Sequence, residues 1–445
     1  MTTTAPVDRD ARYQQLYGTL GGYLPADRDA LHAWHLELKA AVQQSRVERE
    51  APRAGRQAPG APAAPRRRDP AVEALAQEIE ASGVLRMLVT EMIDQAPKDK
   101  RVIENVSELL DHLDFITHLA PQWEADKNKR VFFPMSALFA EMMMDPAGED
   151  AFRYPPFNDA IRAILRSWCG YLDSVASRHV LNTGPNGWLC PEAYAYNQLQ
   201  EFVIPDPTAP YWGWASYNAF FHREIKAANR PIAAPNDSKV IVSPNDGTLY
   251  RIAKNVQATD SFWLKGEPYS LHDMLGGTGY LERFVGGYVF QSYLSGADYH
   301  RFHAPVDGMV LDAVVVNGLM FSNLVNDISG VASQAYYTAV NTRGLTFIKA
   351  DDPTIGVVCV MPVGITEISS MTLTARPGSH VRKGDQLGYF SFGGSTVAVL
   401  FENRAIRKFL VSAPPDHPLA GRQPATADGA APVQVLVNSA IAQAN

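Results

Sequence analysis

The residues with the clearest chemical potential lie near the end of the chain, where Phe392-Gly393-Gly394-Ser395-Thr396 precedes an apolar, strand-like run. Glycine weakens a strand and usually marks close backbone approach or strain, so this step is unusual in strand-like sequence. With a base nearby, the Ser395 hydroxyl could attack the carbonyl of Gly394, cut the chain there and become a pyruvoyl group. A glycine bulge at a sheet edge is the structural alternative.

Two upstream segments carry side chains that such a reaction requires. Asp246 lies in an S-P-N-D-G segment, and His300 and His303 lie in a Y-H-R-F-H segment. A serine hydroxyl becomes nucleophilic through an adjacent base, which a further group must orient. Residues three apart face opposite sides of a strand but one side of a turn, so the spacing leaves open whether the histidines share a site. Asp246 and Asp307 both precede glycine, and both also fit as turn residues.

These segments, together with F-F-H-R at residues 220–223, resemble the phosphatidylserine decarboxylase family. Its members carry FF-x-R, S-P-x-D-G, Y-H-R-x-H and G-S-T motifs in this order, and the resemblance covers about residues 205–410. It implies self-cleavage between Gly394 and Ser395. In that reaction Ser395 is the nucleophile, His303 the base and Asp246 the orienting carboxylate, with Asp307 as a local rival of Asp246.

The resemblance also implies that a pyruvoyl group formed from Ser395 replaces pyridoxal phosphate, without a metal. A substrate amine would condense with its carbonyl and lose carbon dioxide. The family assigns His300 to proton handling at this step, a role typically worth about 10²–10⁴ in rate. Phe221 and Arg223 are candidates for substrate binding, because arginine can hold a carboxylate or phosphate through two hydrogen bonds. A structural helix with an ordinary surface arginine is the alternative.

The sequence departs from the lipid enzymes, which commonly read L-G-S-T at the cleavage site and carry membrane-facing apolar segments. The long helical N-terminal region and segments near residues 187, 264 and 364 are more similar to a soluble branch that includes fungal L-tryptophan decarboxylases. The favoured function is therefore decarboxylation of a free, aromatic amino acid such as L-tryptophan. The alternatives are a phosphatidylserine decarboxylase making phosphatidylethanolamine and a non-enzymatic β-rich binding protein.

Composition limits the partners and the compartment. The chain has 445 residues and a formal charge of −7, which gives no electrostatic case for nucleic acid. Cys169, Cys190 and Cys359 are too widely spaced for a disulfide framework or metal site, and they fit a reducing, cytoplasmic setting. The polar N-terminus does not resemble a signal peptide, and no apolar run is long enough to span a bilayer. The expected partners are an amino acid and the chain's own cleaved fragment, and a homo-oligomer stays open.

Residue periodicity predicts an α+β protein whose mainly helical N-terminal part precedes a β-rich decarboxylase domain with sandwich-like hairpins. Within it, Asp69 and Pro70 predict a helix start, and 216–228 is predicted as one helix. The predicted divisions are a helical segment over 1–45, a disordered Pro/Ala/Arg linker over 46–69, a helical domain over 70–204 and the decarboxylase domain over 205–445.

Overall fold

The α+β class is confirmed by the computed structural model, in which helices dominate the first half of the chain and an antiparallel sheet the second. No helix in the described part of the chain combines the length and apolar character needed to cross a bilayer. The structure describes residues 8–19, 23–50, 68–143, 145–259, 269–296, 298–321, 333–367, 370–392, 394–411 and 433–445.

The N-terminal helices pack on one another and leave one side to the sheet. The start predicted for the third helix is confirmed, because the Asp69 carboxylate accepts the Ala71 N–H (2.8 Å) and Pro70 occupies the first turn. The helices are α1 (Arg9–Thr19), α2 (Arg28–Glu50), α3 (Pro70–Ala81), α4 (Gly83–Gln95), α5 (Val106–Ile116), α6 (Pro134–Met143), α7 (Pro146–Arg153), α8 (Pro155–Leu172), α9 (Pro191–Tyr196), α10 (Tyr217–Phe221), α11 (Leu271–Leu275), α12 (Leu281–Phe284) and α13 (Ser333–Val340).

The helix boundaries differ from prediction in two places. The first helical segment is broken into α1 and α2, and α2 continues to Glu50, so residues 46–50 are helical where the linker was expected to begin. The rest of that linker, 51–67, lies outside the described residues. The helix predicted over 216–228 ends at Phe221, because the following chain pairs with an earlier segment: Val203 N–H bonds Glu224 O, and Lys226 N–H bonds Glu201 O.

The C-terminal part is built on an eight-stranded sheet of order β13-β2-β3-β11-β7-β6-β5-β9, flanked by three-stranded sheets β4-β10-β8 and β1-β14-β12. All pairings between these strands are antiparallel. The strands are β1 (Val240–Val242), β2 (Gly247–Lys254), β3 (Tyr288–Leu294), β4 (Arg301–His303), β5 (Gly308–Val316), β6 (Arg343–Ala350), β7 (Val357–Ile365), β8 (Met371–Leu373), β9 (His380–Val381), β10 (Gln386–Phe390), β11 (Gly394–Phe401), β12 (Ile406–Phe409), β13 (Gln434–Val435) and β14 (Ala440–Ala444).

Alternation along β11 decides which layer each of its side chains enters. Val397 and Val399 belong to an apolar core that continues into the N-terminal helices through residues such as Phe133. Ala398 and Leu400 belong to a second core on the opposite face. Because side chains alternate between the two faces of a strand, Ser395 lies on the face that the helices cover.

Candidate active site

Ser395 is the second residue of β11 and lies inside the eight-stranded sheet. It stands opposite Leu294 on β3 and Gly364 on β7, and neither pairing shifts register there. These two neighbours exclude a sheet-edge bulge at Gly394, while Gly393 lies outside the described residues. Ser395 is 1% exposed, and its Oγ has no hydrogen-bond partner among the described residues. Since an unpaired buried hydroxyl costs about 1–3 kcal/mol, its presence points to chemistry.

The carbonyl beside this serine faces β7. Gly364 donates its N–H to Thr342 O (2.9 Å) and accepts from Asn341 Nδ2 (2.7 Å), so its peptide groups point away from β11. Peptide directions alternate along a strand, so the next residue, Ile365, directs its N–H at Gly394, its partner in the register. A backbone N–H aimed at the attacked carbonyl is the donor that acyl-transfer sites use to stabilise developing negative charge.

His303 is held by two hydrogen bonds that fix its tautomer. The Gly384 carbonyl can only accept, so Nδ1 carries the proton and donates to it (2.8 Å). Nε2 is then the acceptor for the Tyr299 hydroxyl (2.8 Å). Burial lowers the pKa of His303, against the opposing effects of the Gly384 bond and the Asp246 charge. The imidazole is therefore neutral near pH 7 and has its basic nitrogen at Nε2.

Asp246 has a different set of partners from the one expected. Its carboxylate forms a forked ion pair with Arg230, with Nη2–Oδ2 at 2.6 Å and Nε–Oδ1 at 3.0 Å, and it accepts the Val437 N–H (2.7 Å). No hydrogen bond joins Asp246 to His303 among the described residues. The orienting contact expected from Asp246 is made in this structure by the Gly384 carbonyl, because the Asp246 carboxylate binds Arg230 and Val437.

Asp307, the rival carboxylate, is a turn residue. Its Oδ1 accepts the Lys383 N–H (2.7 Å), and its own carbonyl accepts the Asp351 N–H (3.0 Å). These bonds join the residue before β5 to the residues that follow β9 and β6. The structure gives Asp307 no contact with His303 among the described residues, so it offers no reason to prefer Asp307 as the orienting group.

The sheet brings the serine, aspartate and histidine segments to one end. The His303 N–H bonds Pro244 O (2.8 Å), which joins β4 to the S-P-N-D-G segment. Thr248 and Thr396 both stand opposite Tyr293 on β3. Because neighbouring strands are about 4.8 Å apart, the backbones of these two threonines are about 10 Å apart. Asp246 precedes Thr248 by two residues, and Ser395 precedes Thr396 by one.

His300 is fully buried and faces the aromatic residues before the cleavage site. Its ring stacks on Phe221, with ring centres 4.0 Å apart and planes 29° apart. Phe221 in turn meets Phe392 edge-on (5.2 Å), three residues before Ser395. The His300 carbonyl accepts the Phe390 N–H (2.9 Å), which fixes the backbone of this segment to β10. Phe221, a predicted substrate-binding residue, thus connects His300 to the chain that leads into β11.

Arg223 lies just beyond the end of α10 and is buried, not an ordinary surface arginine. Its guanidinium stands 4.1 Å from the centre of the Phe202 ring, and Nη1 donates to Phe221 O (3.4 Å). Burial lowers its pKa to about 10. A narrow cavity beside it is mainly aromatic and is lined by Phe132, Phe133, Trp188, Asn197, Tyr217, Phe220, Phe221, Arg223, Gly296 and Phe392.

Three buried polar residues at this site were missed in the sequence. Arg230 pairs with Asp246. Asn218 accepts the Phe392 N–H (3.2 Å) while donating to Asp173 (2.9 Å), and so ties the segment before the cleavage site to α8. Glu367 follows β7 and accepts N–H groups at the start of α6. Asn218 stands two residues before the F-F-H-R segment, which was the available signal; the Glu367 contact joins residues too far apart in sequence to give one.

Comparison with known proteins identifies the relatives of this chain. The chain matches the sequence model of the phosphatidylserine decarboxylase family over residues 217–421 and a second phosphatidylserine decarboxylase model over residues 69–196. Decarboxylase iboD of Amanita muscaria is 38% identical over 62% of this chain and 85% of its own length. L-tryptophan decarboxylase of Psilocybe cubensis is 32% identical over 60% of this chain and 67% of its own length. Phosphatidylserine decarboxylase proenzyme 3 of Schizosaccharomyces pombe is 34% identical over 43% of this chain and 19% of its own length.

The fold, the site and these relatives define a decarboxylase, that is, a carboxy-lyase. The chain belongs to the phosphatidylserine decarboxylase family, as its ordered motifs indicated. That family is pyruvoyl-dependent. The buried, unpaired hydroxyl of Ser395 is the kind of group from which a pyruvoyl cofactor is made, so the residues present fit it.

Proposed function

We propose that this chain cleaves itself between Gly394 and Ser395 and then decarboxylates a free amino acid, preferably an aromatic one such as L-tryptophan. The observation that carries the proposal is the buried, unpaired Oγ of Ser395, next to a carbonyl that faces the Ile365 N–H. The first step of acyl transfer requires a nucleophilic hydroxyl and a hydrogen-bond donor that stabilises the negative charge on the carbonyl oxygen.

In the proposed cleavage, Ser395 Oγ bonds to the carbonyl carbon of Gly394 while the peptide C–N bond breaks. Once the Tyr299 hydroxyl releases Nε2, His303 accepts the Ser395 hydroxyl proton there and returns it to the released amine. The Ile365 N–H stabilises the negative charge on the Gly394 oxygen. Elimination of the ester and hydrolysis with loss of ammonia leave one chain ending at Gly394 and a second beginning with a pyruvoyl group at position 395.

The pyruvoyl carbonyl supplies an acceptor for the substrate amine and withdraws electrons as carbon dioxide leaves. Proton handling at this step falls to His300, which is buried on the face of Phe221 and connected through Phe392 to the chain before Ser395. Its burial excludes water from the position at which a carbon atom of the substrate must take up a proton. Arg223 lines the cavity next to it and can hold a substrate carboxylate.

The relatives favour an aromatic amino acid as the substrate. The aromatic cavity beside Phe392 has a volume of about 10 Å³, which is room for about one water molecule and too little for an indole ring, so it does not itself select a substrate. The relatives named L-tryptophan decarboxylases match a longer part of this chain than the phosphatidylserine decarboxylase proenzymes do, at 60% against 43% and 46%. The second candidate is phosphatidylserine, which the family matches favour, with Arg223 then holding the phosphate.

The test is substrate-dependent release of carbon dioxide by the purified protein without added pyridoxal phosphate. We expect release from L-tryptophan, L-tyrosine or L-phenylalanine in the absence of detergent and vesicles. Borohydride reduction with the active substrate should attach it to the fragment beginning at position 395. Turnover of phosphatidylserine vesicles, with none of a panel of free amino acids, would assign the lipid as substrate instead.

A further inference from the structure

Three buried polar atoms without partners among the described residues lie at the end of β7 and the start of β11. They are Ser395 Oγ, Thr366 Oγ1 and Glu367 Oε2. The register places the three residues at one end of the β7–β11 pair, because Ile365 pairs with Gly394 and is followed directly by Thr366 and Glu367. Unpaired buried polar atoms are rare in folded proteins and each costs about 1–3 kcal/mol. The proposed cleavage uses Ser395 Oγ but gives no role to Thr366 Oγ1 or Glu367 Oε2.

Glu367 is firmly held, although its Oε2 has no hydrogen-bond partner among the described residues; the Ser136 hydroxyl, which also has none there, lies at the same carboxyl. Its Oε1 accepts the N–H groups of Met135 and Ser136 (2.9 Å for the latter), which have no partner within the first turn of α6. Thr366 has a φ of +53°, a left-handed conformation that is rare for a β-branched residue. This turn ends β7 and places the Glu367 side chain at the start of α6, and the left-handed conformation costs about 1–3 kcal/mol, which residues of functional sites commonly bear.

We propose that Glu367 acts as a neutral carboxylic acid and donates a hydrogen bond from Oε2 to the carbonyl oxygen of Gly394 during self-cleavage, beside the Ile365 N–H. This inference rests on the proposed cleavage at Gly394–Ser395. Glu367 keeps its proton throughout, so the bonds made and broken and the transfer through His303 are unchanged. A single donor of this kind is worth about 10²–10³ in rate.

The protonation state follows from the surroundings. Burial raises the pKa of Glu367 to about 8, against the opposing hydrogen bonds from Ser136 and Met135. The carboxyl is therefore mostly neutral at pH 7. Because Oε1 accepts two N–H groups, the proton belongs on Oε2. The donor is present below the raised pKa and is lost as pH rises through about 8.

Few other titratable groups face this carboxyl. Burial raises the pKa of the Tyr217 phenol at the start of α10, and the nearby Glu367 carboxylate raises it further. The Ser136 hydroxyl is the other side chain at the carboxyl. His35 on α2 reaches the same helix at Ala137 O (2.8 Å), and burial lowers its pKa to about 4. Further along α6, Glu141 is paired with Arg28 (2.7 Å). None of these groups supplies a positive charge that would keep Glu367 ionised.

Two substitutions separate the proposed donor from a structural role. Glu367→Gln keeps an acceptor for the α6 N–H groups and a donor in its amide, but it does not titrate. Glu367→Met keeps the length and removes both functions. The matched control is Glu141→Gln, which removes another buried carboxylate from α6 without reaching β11. Precursors made by cell-free translation are transferred to buffers of pH 6 to 9.5, and fragment formation is followed by gel electrophoresis, with Ser395→Ala as the uncleaved reference.

We expect the wild-type cleavage rate to fall by about tenfold per pH unit above about pH 8. Glu367→Gln should cleave within threefold of wild type at pH 7 and show no such fall, Glu367→Met should be at least tenfold slower, and Glu141→Gln should match wild type. Equal slowing by Gln and Met, or a Met variant within threefold of wild type, would overturn the inference. If the Met variant does not melt cooperatively, a wild-type rate that stays flat from pH 7 to 9.5 overturns it. A wild-type chain that never cleaves refutes the proposed function instead.

Discussion

At the residue scale, the base and the orienting group are arranged in an unexpected way. His303 owes its tautomer to the backbone carbonyl of Gly384 and not to a carboxylate. Asp246 belongs to a buried ion pair with Arg230, which also binds Glu201 (2.9 Å). Asp246 can still influence His303, because its negative charge favours the protonated imidazole. The electrostatic effect and the structural ion pair can be separated by mutation.

Substitution of Asp246 tests which of these roles dominates. Asp246→Asn leaves the buried Arg230 with Glu201 alone, so we expect a loss of about 3 kcal/mol in the free energy of unfolding, the lower end for breaking a buried pair. Urea denaturation of the Ser395→Ala background measures this without cleavage. Asp307→Asn is the control and should cost less, because it loses only turn bonds. Unchanged stability in Asp246→Asn together with slow cleavage would show a purely catalytic role.

Alanine substitutions of His303 and His300 should impair different steps. His303→Ala removes the base, so the chain should stay uncleaved. His300→Ala leaves the base in place, so the chain should mature at least in part yet lose about 10²–10⁴ in decarboxylation rate. Intact-mass measurement and carbon dioxide release distinguish these outcomes. A cleaved His300→Ala protein with full turnover would remove His300 from the catalytic residues.

At the scale of elements, α6 connects the N-terminal helices to the sheet. N–H groups of its first turn donate to Glu367, and the carbonyl of Ala137 accepts a hydrogen bond from His35. Near its end, Glu141 forms an ion pair with Arg28. Each of these contacts is made by a segment distant in sequence. α6 therefore has contacts with α2 and with the end of β7, and protonation of the buried groups in these contacts should weaken them.

Acid should weaken this arrangement through His35. Burial lowers the pKa of His35 to about 4, while an unfolded histidine titrates near 6.5, so the unfolded chain binds more protons between these values. Stability is then lost as pH falls, by about 2 kcal/mol from this residue between pH 7 and pH 5. Urea unfolding at the two pH values measures the loss, and His35→Gln should reduce it by about that amount. An unchanged pH dependence in His35→Gln would contradict this account.

Helices and strands with a clear local pattern could be predicted from the sequence, but their ends could not always be. The run of apolar β-branched and aromatic residues over Tyr288–Leu294, bounded by glycine and serine, predicts a strand from sequence alone, and β3 has those bounds in the structure. The helix over 216–228 was too long, since its second half pairs with residues 201–203 in a contact that local periodicity does not reveal. β11 begins at Gly394, three residues before the apolar run at Val397 that predicted it, because β3 and β7 supply partners on both sides.

The site could be predicted only in part. Ordered motifs identified Ser395, His300, His303 and Asp246 as candidates, and the structure gathers their segments at one end of the sheet. The partners of these residues could not be predicted, because the Gly384 carbonyl and the Arg230 guanidinium reach them through the tertiary fold. The same holds for Glu367, whose contacts with α6 cross 231 and 232 residues.

At the scale of the whole molecule, the cut would fall inside a continuous sheet. All of β11 except its first residue, Gly394, belongs to the segment after the cleavage site, yet the strand pairs along its length with β3 and β7 of the segment before it. β14 likewise pairs with β1. The two fragments should therefore stay together after cleavage and separate only under denaturing conditions. The N-terminal helices share the apolar core on the Ser395 face, so they close this side of the site.

The most direct test of the account is the intact mass of the purified protein under denaturing conditions. We predict two species, residues 1–394 and a fragment of residues 395–445 whose mass corresponds to a pyruvoyl group in place of its first serine. Ser395→Ala should give a single full-length species, because it has no hydroxyl to attack Gly394. A wild-type protein that remains full length after prolonged incubation would contradict self-cleavage and the pyruvoyl-dependent chemistry built on it.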